Sequence, residues 1–496
     1  MTIRYSASWL NSAQTTIHSD TRTGEILNAS ILINANMISV QYADRIGATV
    51  AIDPRVRTTV FPQEIQGELI QAAIAQAVGT GLGLTMNWGA SCAYPVDSLR
   101  SASFTQKYGL ASSVMGGVII NDVATEEDVR NGVCLVNAKP GPYDELVIKY
   151  LYQPIYASSL QEEKETLDSW IREHTGDPYY AYIRNQSRFD SDPRNSRGSL
   201  GDDHLKSFDY MLPNVRKGFE NYYSWFAKED RDFLMRRRVH SALSERLSGR
   251  IYAILSYIGG IYLNDIREKD AIPSYSMVDR EKQKAALSKA LELAKNLDWV
   301  DDTAHLNEFE ISDKKADRLR LDIFNGIFGR LPYVEVCTER FPDAAYTASE
   351  YLDDIYGIVW EGVLKHRPLE NFERALQTAF LESIISTSTA TAPIGSFKAS
   401  KTGFAATGKP EINLAALRNG GKVDMKMYSL QNAEEVAGFS SIPPIYTNQT
   451  KIAAYYFDLL MRTKDMLKKA ISTAPEADRS HYDLLIYRIN KATEIE

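Results

Sequence analysis

Residues 63–87 read QEIQGELIQAAIAQAVGTGLGLTMN, and the fold turns on this stretch. After Pro62 the apolar residues Ile65, Leu69, Ile70, Ala73, Ile74, Ala77, Val78 and Leu82 recur every three to four positions, the interval that gathers side chains on one helical face. Gly79, Gly81 and Gly83 then weaken the helix end, since glycine is costly inside a helix and favoured just past it. A core helix ending in a glycine-rich turn is expected. Upstream, TGEILNASILIN (residues 23–34) alternates, with Leu27, Ala29, Ile31 and Ile33 on one face and Asn28 and Ser30 on the other, which predicts a half-buried strand. Downstream, residues 87–147 are punctuated by Pro95, Gly109, Gly116, Gly117, Pro140, Gly141 and Pro142 and read as irregular.

From Ser159 the character turns helical. Ser159 and Glu162 have capping-box spacing, and the first helix stops near Gly176. The polar loop RFDSDPRNSRGSLGDD (188–203) leads into helical segments broken near Pro213 and near residues 268–274. Helical patterns follow at about 278–297, 312–330, 346–365, 368–386, 449–471 and 475–492, while residues 386–426 run to Ser, Thr, Ala and Gly and read as a long loop. Asp202–Asp203 and Glu126–Glu127–Asp128 sit where helices begin, so capping and the helix dipole explain them better than a metal does. Arg236–Arg237–Arg238 reads as a solvated face, and Cys92 as a buried, inert thiol.

Composition narrows the function classes. The 496 residues carry a net charge of −8 with no long basic block, so nucleic acid is not an expected partner. No uncharged apolar run approaches the ~20 residues that cross a bilayer. Cys92, Cys134 and Cys337 are odd in number and far apart, which excludes a disulfide framework and a multi-cysteine zinc site. Seven histidines occur, and none lies between residues 19 and 173. The opening MTIRYSASWLNSAQTT has no apolar core of an export signal, so the chain as given would stay in the cytoplasm.

QAVGTGLGLTMN (76–87), followed by WGASCAYPVDSLRSASFTQKYG (88–109) and SSVMGG (112–117), resembles the active-site region of large bacterial zinc-dependent metalloproteases of the metzincin clan. Those enzymes carry H-E-x-x-H-x-x-G-x-x-H, three zinc ligands and a general base, with a methionine turn beneath the metal. The resemblance lays the ligand positions on Gln76, Thr80 and Met86, the base on Ala77, the glycine on Gly83 and the turn methionine on Met115. Only Gly83 and Met115 keep the family's residue. DTRTGEILNA (20–29), PGPYDELVIKYLYQPI (140–155) and DPRNSRGSLGDDHLKSFDYMLPNVRKG (192–218) resemble further family segments. The implied fold is α+β: an incomplete metzincin-like (zincin) domain over residues 1–147, then a large, mainly helical region over 148–496. It is incomplete because the family's domain has a strand and a long helix before the segment resembling IRYSASW (3–9), so an exposed sheet edge is expected.

The family is exported and uses zinc, yet this chain's residues argue otherwise. Gln76 and Thr80 offer neutral oxygens and Met86 a thioether, poor ligands for Zn²⁺, and Ala77 lacks the carboxylate that activates water. No cofactor is expected. Three readings follow: a non-catalytic pseudopeptidase binding a peptide or protein in the former cleft, by strand pairing next to residues 23–34; an active zinc metallopeptidase; or a fragment completed by an upstream polypeptide.

Overall fold

The protein's structure is a computed structural model, which describes residues 1–8, 10, 13–183, 191–195, 199–264, 266, 270, 272–305, 315–387 and 449–493. The expected loop at 386–426 lies almost wholly outside them.

Three strands open the chain: β1 (Thr2–Ser6), β2 (Ala13–Ser19) and β3 (Ile26–Asn34), in the order β1-β3-β2. β3 runs parallel to β1, with Ile3 opposite Ile31 and Tyr5 opposite Ile33, and antiparallel to β2, with Thr15 opposite Ile31. The alternation read from sequence is present: Ala29, Ile31 and Ile33 are buried, while Leu27, near the strand's start, is 66% exposed. β1 forms one side of the sheet, and Ile3 and Tyr5, on the face shared with Ile31 and Ile33, are 52% and 69% exposed.

Two helices follow, α1 (Ala35–Thr49) and α2 (Gln63–Gly81). α2 is the helix expected after Pro62. Its Ala73 and Ala77 pack on Ile31, Ile33 and Met37, so the sheet's apolar face and the helix stripe cover one another. Residues 87–147 hold only short helices, α3 (Ala102–Tyr108), α4 (Glu126–Arg130) and the start of α5 (Pro142–Tyr152). Thr125 and Asp128 close a capping box on α4, which accounts for the acidic cluster there. Ser159 caps α6 (Leu160–Arg172), accepting from the Glu162 amide at 3.2 Å.

The rest is mostly helical. α7 (His204–Phe226) is capped by Asp203, whose carboxylate accepts from the amides of Leu205 and Lys206. It runs through Pro213 without the expected break: Met211, Val215 and Phe219 stay buried on one face, and that burial outweighs the backbone hydrogen bond proline cannot donate. α8 (Leu234–Leu255) packs beside it. Arg236 on α8 corrects the expectation of a solvated face, being 5% exposed, paired to Asp230 at 3.2 Å and stacked over Tyr223. Two short strands, β4 (Ile261–Leu263) and β5 (Tyr275–Met277), pair antiparallel on either side of the break expected near 268–274, part of which lies outside the described residues. The remaining helices are α9 (Arg280–Lys295), α10 (Lys315–Arg340), α11 (Ala348–Val359), α12 (Glu361–Leu364), α13 (Asn371–Thr387), α14 (Gln449–Ala470) and α15 (Glu476–Thr493).

The largest core joins Ile46 of α1, Val50 just after it, and Ile65 and Leu69 of α2 to Phe208, Leu243, Phe324 and Phe328 of the helical region. α1 crosses α8 so closely that a Cβ on Gly47 would lie 2.5 Å from the Ala242 carbonyl oxygen. Asp122, fully buried, accepts from Arg246 at 2.6 Å and from Arg250, both on α8. Among the described residues, no helix is long and apolar enough to cross a membrane.

Candidate functional site

α2 ends in the turn that its glycines signal. The Gly83 amide donates to the Thr80 carbonyl at 2.9 Å and the Leu84 amide to the Gly79 carbonyl at 3.0 Å, with Gly83 at φ +91°. These two bonds make a Schellman cap, whose left-handed position calls for glycine. The turn carries the chain back beside the helix and brings position 86 against position 76. The Gln76 side-chain amide donates from Nε2 to Met86 Sδ at 3.0 Å. The Thr80 hydroxyl, one turn after Gln76, donates to the Gln76 carbonyl at 3.2 Å. Ala77 points into the core against the sheet and is 5% exposed, while its carbonyl accepts from Thr15 of β2.

Met115 lies beneath this turn. It is fully buried in a cluster with Leu84 and Val114, flanked by Leu82 and Met86, and a Cβ on Gly79 would stand 2.6 Å from its sulfur. Its position is fixed from both directions. The Met115 amide donates to Ser113 Oγ and its carbonyl accepts from the Asn87 amide, each near 3 Å. Asp144, buried at the start of α5, accepts from Ser113 Oγ, the Val114 amide and the Gly141 amide at 2.5, 2.9 and 2.9 Å. Gly141 permits this approach, since a Cβ there would lie 2.2 Å from the Ser112 carbonyl. The sequence reading did not single out Asp144; the glycine three residues before it is the helix-start signal that marks it.

Gln76, Thr80, Gly83, Met86 and Met115 thus gather at one end of α2, while Ala77 faces the sheet. The donor set does not suit Zn²⁺, which takes imidazole, thiolate or carboxylate. The amide nitrogen of Gln76 is aimed at the thioether that would be its fellow ligand, and the Thr80 oxygen is turned back onto its own helix. Among the described residues, no group of three or more His, Cys, Asp or Glu side chains stands where it would hold a metal ion. Four histidines are engaged elsewhere: His204 Nε2 with the Pro193 carbonyl, His240 with the Val300 carbonyl, His305 with Asp302 and His481 with Gln377. Burial pushes the Cys92 thiol up, in keeping with an inert cysteine.

One expectation is corrected by the sheet. β3 is its central strand: β2 lies along one side and β1 pairs with Ser30–Asn34 on the other, so an added segment cannot pair beside residues 30–34.

A family model described as Met-zincin matches residues 58–367, from the loop before α2 to the end of α12. Neither a curated protein nor a solved structure matches the chain. The match spans well over half of the sequence and includes the helix end, the glycine turn and Met115, and the chain therefore belongs to the Met-zincin family.

Proposed function

We propose that this Met-zincin is a non-catalytic homologue whose former cleft binds a peptide or protein without cleaving it. The observation that carries the reading is the Gln76–Met86 hydrogen bond, which links two of the family's ligand positions to each other. Ala77 supports it: at the base position stands a methyl group buried against Ile31 and Ile33, with no atom to take a proton from water. Met115 holds the place of the methionine turn, and without a metal above it the turn acts in packing alone. A ligand strand would add at the outer side of β2, whose inner side is paired to β3, instead of beside β3. Zinc analysis after dialysis against Zn²⁺, together with a generic peptidase assay and a binding screen on extended peptides, tests the reading. Binding with neither zinc nor cleavage is expected; one bound zinc per chain and cleavage would overturn it.

A second reading is favoured by the exposed Ile3 and Tyr5 on the apolar face of β1, which another polypeptide would cover. A monodisperse monomer with a single cooperative melt would count against it.

A further inference from the structure

The wall that leads away from Met86 already holds an extended piece of main chain. Asn87 is fully buried, and both ends of its carboxamide are spent on one segment: Nδ2 donates to the Ala181 carbonyl at 2.9 Å, and Oδ1 accepts from the Ile183 amide at 3.1 Å. A carboxamide that takes a carbonyl at residue i and an amide at i+2 satisfies an extended backbone as a neighbouring strand does. On either side of Asn87 the contacts continue. Thr85 Oγ1 donates to the Tyr182 hydroxyl at 3.3 Å, and Ile183 is 4% exposed, seated on Gly89, where a Cβ would lie 2.1 Å from Ile183 Cγ1. Residues 85, 87 and 89 thus meet residues 181–183 by hydroxyl, main-chain mimicry and a slot left open by glycine. Upstream, the segment is anchored by the Asp177 cap on Tyr179, by Tyr179 edge-on to Tyr94 and by Tyr180 stacked on His174.

We propose that Ala181–Ile183 is a resident strap, an internal ligand on the wall 85–89, and that this wall, a second peptide contact besides the outer side of β2, takes extended peptides carrying an aliphatic β-branched residue for the Gly89 slot. The inference rests on the peptide-binding reading above and names its ligand class. The wall recognises backbone through one neutral amide and a side chain through shape, so it selects an uncharged residue at the slot. An external peptide binds by replacing the strap, and the strap sets the concentration at which that happens.

The test uses the full chain and a blocked synthetic peptide copying residues 177–184, DPYYAYIR. Ile183→Asp places a carboxylate in the slot and expels the strap while leaving Asn87 in place. The peptide is expected to bind I183D at least tenfold more tightly than the unmodified chain, and the gain is lost in I183D/N87A. Equal, weak binding by all three would overturn the proposal. Should I183D fail to fold, hydrogen exchange on the unmodified chain decides. The Ile183 amide is expected to exchange through a local opening, at least tenfold faster than the amides of the α2 core, and Asn87→Ala speeds it tenfold more without changing them. Exchange of Ile183 only at the rate of global unfolding would make the segment a fixed part of the core and end the proposal. Neither readout involves zinc or cleavage, so a zinc-loaded, active protein would contradict the non-catalytic reading while leaving the strap measurements to stand by themselves.

Discussion

Gln76 Nε2 and Met86 Sδ lie 3.0 Å apart, ten residues apart in sequence and joined by the turn at Gly83. The bond ties the end of α2 to the segment that follows it, and under the proposed reading it joins two positions assigned to metal ligands by resemblance. Replacing Gln76 by Leu removes a donor to a weak acceptor in a half-buried setting. A loss of about 0.5–1.5 kcal/mol is expected, and the same from Met86→Leu, with the double variant losing less than the sum. Urea titration of the four proteins measures the coupling, and strict additivity would mean that the contact contributes nothing.

Ala77 makes the converse prediction. Its methyl group sits against Ile31, Ile33 and Ala73, so Ala77→Glu buries a carboxylate among hydrocarbons. A destabilisation of at least ~2 kcal/mol at pH 7 is expected, eased at low pH where the carboxyl is neutral. Unchanged stability at neutral pH would show that the side chain at position 77 reaches solvent.

The buried pair between Asp122 and the two α8 arginines holds the irregular segment before α4 to the helical region. Burial opposes the Asp122 charge, and Arg246 and Arg250 overcome that, leaving its carboxyl below the usual carboxylate range. Its stabilising effect is therefore complete above the unfolded value near 3.8 and is lost only as pH falls below it. Asp122→Ala leaves the buried Arg250 guanidinium without its carboxylate, while the half-buried Arg246 keeps the Ile120 carbonyl, and a loss of about 3 kcal/mol is expected in chemical unfolding. Asp122→Ala within 1 kcal/mol of wild type would contradict this account of how the two parts are held.

Acid sensitivity at higher pH has a different source. Burial lowers His204 and His481 from 6.5 to about 4 each. Both are depressed in the folded chain, so the unfolded chain binds the extra protons between pH 6.5 and 4, and stability falls as pH drops through that window. Each imidazole contributes a slope of up to ~1.4 kcal/mol per pH unit. His204→Gln, which keeps a donor for the Pro193 carbonyl, is expected to flatten the change in urea midpoint between pH 7 and pH 5; an unaltered slope would mean that His204 titrates normally in the fold.

The N-terminal half was legible wherever a single face is buried. The alternation of Ala29, Ile31 and Ile33 marks β3, the three-to-four spacing from Ile65 marks α2, and the glycines after Val78 mark its end. α1 gives no such signal, because it packs on α8 around Gly47 while other parts of it meet α2 and the sheet, which blurs the periodicity. Pro213 misleads because tertiary burial holds α7 together across it, and Arg236 because sequence carries no trace of Asp230 folding back beneath it. The spacing of Gln76, Met86 and Met115 singles out residues that the structure brings into contact at the end of α2. What they do on meeting was not legible, since nothing in the sequence tells that Gln76 aims its amide at Met86 or that Asn87 grips Ala181 and Ile183 from the adjoining position.

The most direct test of the central claim is zinc stoichiometry by elemental analysis on the full chain, equilibrated with Zn²⁺ and then dialysed. The Gln76, Thr80 and Met86 set predicts near-zero zinc per chain and a melting temperature indifferent to chelator. One tightly held zinc per chain, with a melt that falls when the metal is stripped, would contradict the account.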